Sequence, residues 1–166
     1  MYVNATSWVP SPVVAPTDET IFAIGDVHGH CDHLKALHQA IRELCTGSLH
    51  KVTIVHLGDY IDRGPDSKAV LDFLSDQMNN DANVVCLPGN HDQYLIELIR
   101  PELDPDFDRY VLSAWYENGG IETMKDFGID GYGRLMESNK IAELGKRVAE
   151  SLGAHMQPTG LQPRFA

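Results

Sequence analysis

The sequence predicts an α/β fold that is built on a parallel sheet, with the element order β-α-β-α-β followed by further helices. Three short apolar runs have the length and composition of buried strands, and a segment with helical spacing of apolar residues separates each from the next. Each run ends in a glycine followed by Asp or Asn, with a histidine nearby. Because parallel strands point the same way, we expect the three polar loops to meet at one edge of the sheet.

The first crossover helix is predicted over residues 33–46, after a strand at 21–24, with Asp32 as its N-cap. Apolar residues recur within it at spacings of three and four, which predicts a single inward stripe. That stripe consists of Leu34, Leu37, Ile41 and Leu44. The polar residues between them, including His33 and His38, are predicted to lie on the helix surface.

The second crossover helix is predicted over residues 68–78, between strands at 52–57 and 83–87, and Ser67 is the expected cap. His56 lies inside the second of the three strands. We predict that His56 is a packed core residue, because the run around it is apolar.

Helices rather than strands are predicted after the third strand. Their positions are from Asp92 to before Pro101, 110–116, 121–127 and 138–152. Asn118-Gly119-Gly120 is expected to break the helical run before 121, and Asp92 to supply a negative charge at a helix start. One domain is predicted over 20–153, after an extended or disordered leader at 1–19 and before an irregular tail at 154–166.

Charge and composition narrow the classes of partner. The 166-residue chain has a net charge of −11, which argues against nucleic acid and against an anionic membrane surface. A phosphate substrate stays compatible, because bound divalent cations can reverse the local field. Neither a transmembrane run nor a signal-peptide pattern is present, and the three scattered cysteines fit free thiols in a reducing compartment. We therefore predict a cytoplasmic protein.

Three motifs occupy the loops at the ends of the predicted strands. They are Gly25-Asp26-Val27-His28-Gly29, Gly58-Asp59-Tyr60-Ile61-Asp62-Arg63-Gly64 and Gly89-Asn90-His91-Asp92. In this order and spacing, the motifs resemble those of the calcineurin-like metallophosphoesterases. The Asp62-Arg63-Gly64 ending resembles the phosphoprotein phosphatase branch, which includes bacterial and phage serine/threonine phosphatases.

The resemblance implies a site for two divalent metal ions that hydrolyses phosphate esters. Asp26 and His28 would hold the first metal, Asp59 would bridge the two, and Asn90 would bind the second. Mn²⁺ is the expected ion, with Fe or Zn as alternatives, because a mixed set of carboxylate, imidazole and amide ligands suits these metals.

The same resemblance assigns the catalytic groups. His91 matches the family's proton-donating or transition-state-stabilising histidine, and Asp62 would orient its imidazole and raise its basicity. Arg63, together with Asn90, would bind the substrate phosphate through its fork of donors. The implied reaction is direct attack of a metal-activated water on phosphorus, in a phosphoprotein or a small phosphoester.

The sequence departs from the family in its C-terminal part. Relatives add a strand that ends in a histidine and a later Gly-His pair, whereas His155 is the only histidine here after His91. The resemblance therefore predicts an incomplete version of the family's α/β/β/α sandwich with an incomplete second metal site. It also predicts an uncovered sheet face, through which the chain could self-associate.

Two alternatives to a serine/threonine phosphatase stay open. The Gly-Asn-His-Asp form of the third motif also resembles bacterial diadenosine tetraphosphatases, so a bis(5'-nucleosyl)-tetraphosphatase-like hydrolase is one. A catalytically weak or silent remnant that binds a metal or a partner is the other. The absent histidines favour the remnant, and the intact motifs disfavour it.

Overall fold

A three-stranded parallel sheet forms the centre of the fold and confirms the predicted β-α-β-α-β order. Its strands are β1 (Glu19–Ile24), β2 (Lys51–His56) and β3 (Val84–Cys86), in the spatial order β1-β2-β3. The register pairs Ile24 with His56 and His56 with Cys86, so the three strands end at the same level. The loops that follow them therefore start side by side.

The structure is a computed structural model that describes residues 6, 7, 9, 10, 18–100, 109–131, 133 and 140–153. Most of the predicted leader, all of the predicted tail and His155 lie outside the described residues, as does the predicted start of the helix at 138. None of the helices in these ranges combines the length and the apolar character needed to cross a bilayer.

Two helices make the crossovers between strands, and the others follow β3. Their bounds are α1 (Cys31–Leu44), α2 (Ser67–Asn80), α3 (Asn90–Ile99), α4 (Arg109–Trp115), a π-helical turn (Tyr116–Gly120), α5 (Ile121–Asp126) and α6 (Ile141–Leu152). The predicted break at Asn118-Gly119-Gly120 is confirmed, because Gly119 has a non-helical φ of 115°.

Within the described residues, the buried side chains of the strands lie on one face of the sheet, and the other face keeps part of its apolar surface exposed. Alternate residues such as Ile24, Ile54 and Val84 point into the core that α1 and α2 help to form. On the opposite face Ile21 keeps 49% of its surface exposed, and Leu57, directly after β2, keeps 52%. Both side chains lie on the face for which the sequence predicts no cover, and self-association through that face stays a prediction.

The helix starts differ from the predicted ones. Helix α1 begins two residues early, with His30 at the N-cap position, so Asp32 lies in the first turn and does not cap it. Ser67 is likewise the first residue of α2 and not its cap. Helix α3 begins at Asn90 rather than Asp92. No side chain caps the start of α1 or α2, whereas Asp92, the third residue of α3, accepts a hydrogen bond from the backbone N–H of Gly89 at the N-cap position.

The prediction that His38 lies on the surface is wrong. Its imidazole is fully buried against that of His56, whose core position is confirmed, and the two Nε2 atoms are 3.0 Å apart. The inward stripe of α1 runs through Cys31, Leu34, His38 and Ile41. Leu44, predicted to face inward, keeps 66% of its surface exposed. The partner that makes a buried His38 tolerable lies on another element, so helical spacing alone did not reveal it.

Candidate metal and phosphate site

The first two motifs are joined through their backbones. The amides of Val27 and His28 both donate to the carbonyl of Asp59, at 3.0 and 2.9 Å, and Gly29 N donates to Tyr60 O at 2.8 Å. Asp26 and His28 are thereby held beside the loop that carries Asp59. The convergence predicted from the parallel strands is present, and it is fixed by main-chain hydrogen bonds.

Asp92 joins the second motif to the third. Its buried carboxylate accepts backbone hydrogen bonds from Asp59 at 2.7 Å, Tyr60 at 2.9 Å and Gly89 at 2.8 Å. Burial raises the pKa of Asp92 to about 6, although the three backbone donors favour its charged form. The sequence pattern predicted only a charge at a helix start, but Asp92 also ties two of the site loops together.

Glycine is required where these loops touch. A Cβ on Gly89 would overlap the carboxylate of Asp59, and a Cβ on Gly64 would overlap the carbonyl oxygen of His28. Both glycines belong to the sequence motifs. Their role is to let the polar loops approach closely enough to place their side chains in one site.

Four non-glycine residues of the site have a left-handed backbone. The φ angles are 43° for His28, 54° for Asp59, 73° for Asp62 and 66° for Arg63. Such conformations cost on the order of 1 kcal/mol or more each and persist only where the surroundings enforce them. Here the interloop hydrogen bonds supply that enforcement, and the strained backbone aims the four side chains.

The structure brings three candidate ligand groups together. One atom each from His28, Asp59 and His91 lies within 4.8 Å of the other two. Asp26 lies at the rim, with its Oδ2 3.7 Å from His28 Nε2 and its side chain 68% exposed. Asn90 is exposed at the first position of α3.

The hydrogen bonding of His28 fits a role as a metal ligand. Its Nδ1 lies 2.8 Å from the carbonyl oxygen of Ile61, which can only accept, so the ring carries its proton on Nδ1. The Nε2 lone pair then faces the site, as in histidines that bind metals. Together with the carboxylates of Asp26 and Asp59, it forms a donor set that suits one divalent cation. A second cation could use Asp59 and the amide oxygen of Asn90.

His91 is oriented by Asp62. Its Nδ1 lies 2.6 Å from Asp62 Oδ2, and both side chains are buried. The carboxylate also receives hydrogen bonds from Trp115 Nε1 and Thr123 Oγ1, at 2.6 Å each. The sequence pattern identified Trp115 only as an apolar helix residue and did not single out Thr123. Their position on either side of Asn-Gly-Gly is the signal that could have drawn attention to them.

Arg63 lies between the two imidazoles. Its guanidinium donates from Nη1 to His28 Nε2 at 2.6 Å and from Nη2 to His91 Nε2 at 2.9 Å. Both Nε2 atoms therefore act as acceptors, which agrees with protons on both Nδ1 atoms. The fork of Arg63 is directed into the region where a phosphoryl group would meet the ligand atoms.

Comparison with known proteins places these motifs in a family. The family model described as "Calcineurin-like phosphoesterase" matches residues 19–151. The chain is also 31% identical over 130 residues to the zinc-dependent endopolyphosphatase of Saccharomyces cerevisiae. That match covers 78% of this chain and 36% of the yeast protein, so the chain spans about a third of the length of this curated relative.

Proposed function

The chain belongs to the calcineurin-like phosphoesterase family, and from this premise we propose that it is a metal-dependent phosphoester hydrolase that acts on phosphorylated serine or threonine. The observation that carries the proposal is the convergence of His28, Asp59 and His91 within 4.8 Å. Each imidazole is fixed with its Nε2 toward the site. A site of this kind can hold a cation and transfer a proton next to one phosphoryl group.

Two divalent cations bound to Asp26, His28, Asp59 and Asn90 would supply a nucleophilic water and neutralise the phosphoryl oxygens. Arg63 would bind those oxygens with its planar fork, leaving the two imidazoles to which it now donates. His91, held by Asp62, would stabilise the transition state or protonate the departing oxygen through Nε2.

Charge and motif type support a phosphoprotein as the substrate. The Asp62-Arg63-Gly64 ending is the form found in the phosphoprotein phosphatase branch, and one guanidinium fork suits one phosphoryl group. A long polyphosphate, as the name of the yeast relative indicates for that protein, would need an extended basic surface. The net charge of −11 disfavours such a surface.

The test is Mn²⁺-dependent hydrolysis of p-nitrophenyl phosphate by the purified chain and two variants. Asp59→Asn should lower activity by more than about 100-fold. Asp59 is a proposed metal ligand, and the loss of a residue that only hydrogen-bonds to a metal ligand already costs about 10–100-fold. Asp72→Asn, which makes the same change on an exposed part of α2, should leave activity unchanged. Equal activity of the wild type and Asp59→Asn would contradict the proposal.

Substrate preference and metal stoichiometry then separate the alternatives. A higher kcat/KM for a phosphoserine peptide than for diadenosine tetraphosphate or inorganic polyphosphate supports the protein phosphatase. The highest kcat/KM for diadenosine tetraphosphate supports a tetraphosphatase, and the highest for polyphosphate supports a polyphosphatase. About two Mn²⁺ per chain by equilibrium dialysis supports a complete enzyme site. One or none, with no turnover by a folded chain, supports a silent remnant.

A further inference from the structure

The carboxylate of Asp62 has donors on both of its oxygens. Oδ2 accepts from His91 Nδ1 and Trp115 Nε1, and Oδ1 accepts from Thr123 Oγ1, each at 2.6 Å. The side chain of Asp62 is fully buried. A buried carboxylate is tolerated only when its oxygens are hydrogen-bonded, and here three donors satisfy them.

The two donors other than His91 come from a single helical segment. Trp115 ends α4, Thr123 lies in α5, and the π-helical turn between them brings their side chains to one carboxylate. Gly120 packs under the indole, where a Cβ would lie 2.8 Å from ring atoms. The indole also stacks on Tyr94 at 6.1 Å. Both donor side chains are therefore held in position by packing in the protein interior.

The same segment holds the backbone of the Asp62-Arg63 turn. Asp62 N donates to Thr123 Oγ1 at 2.9 Å, and Arg63 N donates to the carbonyl of Gly119 at 3.1 Å. Asp62 and Arg63 both have left-handed φ angles, which need such support. The segment from Trp115 to Thr123 thus fixes both the carboxylate and the strained turn that carries it.

We propose that Trp115 and Thr123 are positioning residues that act through Asp62 to fix the ring plane and tautomer of His91. The hydroxyl of Thr123 and the indole N–H of Trp115 leave the carboxylate one orientation, in which Oδ2 receives the Nδ1 proton of His91. The Nε2 atom of His91 is then held toward the site. The kinetic consequence rests on the proposed function, but the positioning itself can be measured without turnover.

A purely structural role for the two residues would depend on their volume and not on their hydrogen-bonding groups. Three variants separate these possibilities. Trp115→Phe keeps an aromatic ring and removes the N–H, Thr123→Val keeps the shape and removes the hydroxyl, and Thr123→Ser keeps the hydroxyl. If volume alone mattered, Thr123→Ser would be at least as harmful as Thr123→Val.

The first measurement is NMR of the histidine-labelled chain at fixed pH in chelator, with the His91 signals assigned through a His91→Gln variant. In the wild type we expect His91 as the Nδ1–H tautomer with a downfield, protected Nδ1 proton. Exchange of this proton with water should be at least about 10-fold faster in Thr123→Val and in Trp115→Phe, and close to wild type in Thr123→Ser. An unchanged proton in both variants would overturn the proposal, and a change in one alone would assign the role to that residue only.

Thr123→Val leaves a buried carboxylate with one donor fewer, so folding is checked by circular dichroism. If this variant does not fold, Trp115→Phe and Thr123→Ser still decide, because Trp115→Phe removes a donor from Oδ2 and leaves the Thr123 bond to Oδ1 intact. A folded Trp115→Phe variant with a wild-type His91 proton would overturn the role of Trp115. Loss of that proton in a folded Thr123→Ser variant would overturn the role of the Thr123 hydroxyl.

The second measurement is the leaving-group dependence of kcat/KM. A misplaced His91 should matter more for phenyl phosphate, whose leaving oxygen needs a proton, than for p-nitrophenyl phosphate. We expect losses of about 10-fold for p-nitrophenyl phosphate and about 100-fold for phenyl phosphate in Thr123→Val, and no further loss in an Asp62→Asn background. Equal losses of kcat/KM on the two substrates would contradict positioning through Asp62. The same holds if the losses caused by Thr123→Val and Asp62→Asn multiply fully in the double variant. A wild type without turnover would refute the proposed function, while the NMR comparison would still decide the positioning role.

Discussion

Acid should destabilise this protein through the His38–His56 pair in its core. The two buried rings share one hydrogen bond between Nε2 atoms, and Phe73 meets His38 edge-on. Burial, and to a lesser extent the neighbouring His38, lowers the pKa of His56 from 6.5 to about 4. Burial and the charge of Arg42 lower the pKa of His38 as well. Neither ring takes up a proton readily in the folded state.

The sign and size of the effect follow from these pKa values. Between pH 4 and 6.5 the unfolded chain binds more protons than the folded one at His56, so the free energy of unfolding falls as the pH falls. The full difference corresponds to about 3 kcal/mol, of which about 2 kcal/mol is lost between about pH 8 and about pH 5. His38 adds to the loss, because its pKa is shifted in the same direction.

Asp92 acts with the opposite sign. Burial raises its pKa from 3.8 to about 6, so within that window the folded state binds more protons than the unfolded state. This group stabilises the fold as the pH falls through the window. The pH dependence of the wild type alone therefore mixes two contributions, and a comparison with a variant that lacks the histidine pair is needed.

The assay is urea unfolding at about pH 8 and about pH 5 in chelator, so that metal binding adds no pH-dependent term. The double variant His38→Leu/His56→Leu should lose about 2 kcal/mol less than the wild type between these conditions. It should remain folded at the higher pH, because it also removes two buried Nδ1 atoms that have no partner among the described residues. His50→Leu, at an exposed turn, is the control and should match the wild type. Equal losses for wild type and double variant, within about 0.5 kcal/mol, would refute the reasoning.

Three further predictions concern the joined loops and the sheet face. Asp92→Asn should lower the free energy of unfolding by about 2 kcal/mol at neutral pH and weaken Mn²⁺ binding, because both carboxylate oxygens accept backbone N–H groups and an amide nitrogen in place of one oxygen leaves a buried donor without an acceptor. Urea unfolding and metal titration test this. Gly89→Ala should abolish detectable metal binding by calorimetry while the chain stays folded, since the new Cβ displaces Asp59; unchanged binding would contradict the close approach. Ile21→Ser should reduce self-association in sedimentation experiments, and Leu49→Ser, fully exposed but off the sheet face, should not.

The sequence predicted those features that depend on short-range pattern. The spacing of apolar residues predicted the positions of the strands and crossover helices, and the glycines of the three motifs predicted the loops that meet at the ends of the strands. The sequence could not predict the burial of His38, because the partner that satisfies this imidazole, His56, is on another element. The donors to Asp62 were missed for the same reason, since Trp115 and Thr123 are 53 and 61 residues away in sequence. Helix starts were misplaced by up to two residues, because no side chain caps α1 and the side chain that caps α3, that of Asp92, belongs to the third residue of the helix and not to the residue before it.

Because Asp62 and its donors Trp115 and Thr123 are far apart in sequence, their hydrogen bonds can form only late in the synthesis of the chain. All three motifs have been synthesised once Asp92 has been added to the chain. The three strands and the two crossover helices precede Asp92, so they can pair and pack before the later helices are made. The hydroxyl of Thr123, however, arrives 61 residues after Asp62. Until α5 packs against the site, Oδ1 of Asp62 lacks the hydroxyl donor of Thr123. The orientation of His91 is therefore fixed only after α5 has packed against a part of the chain that was made 61 residues earlier.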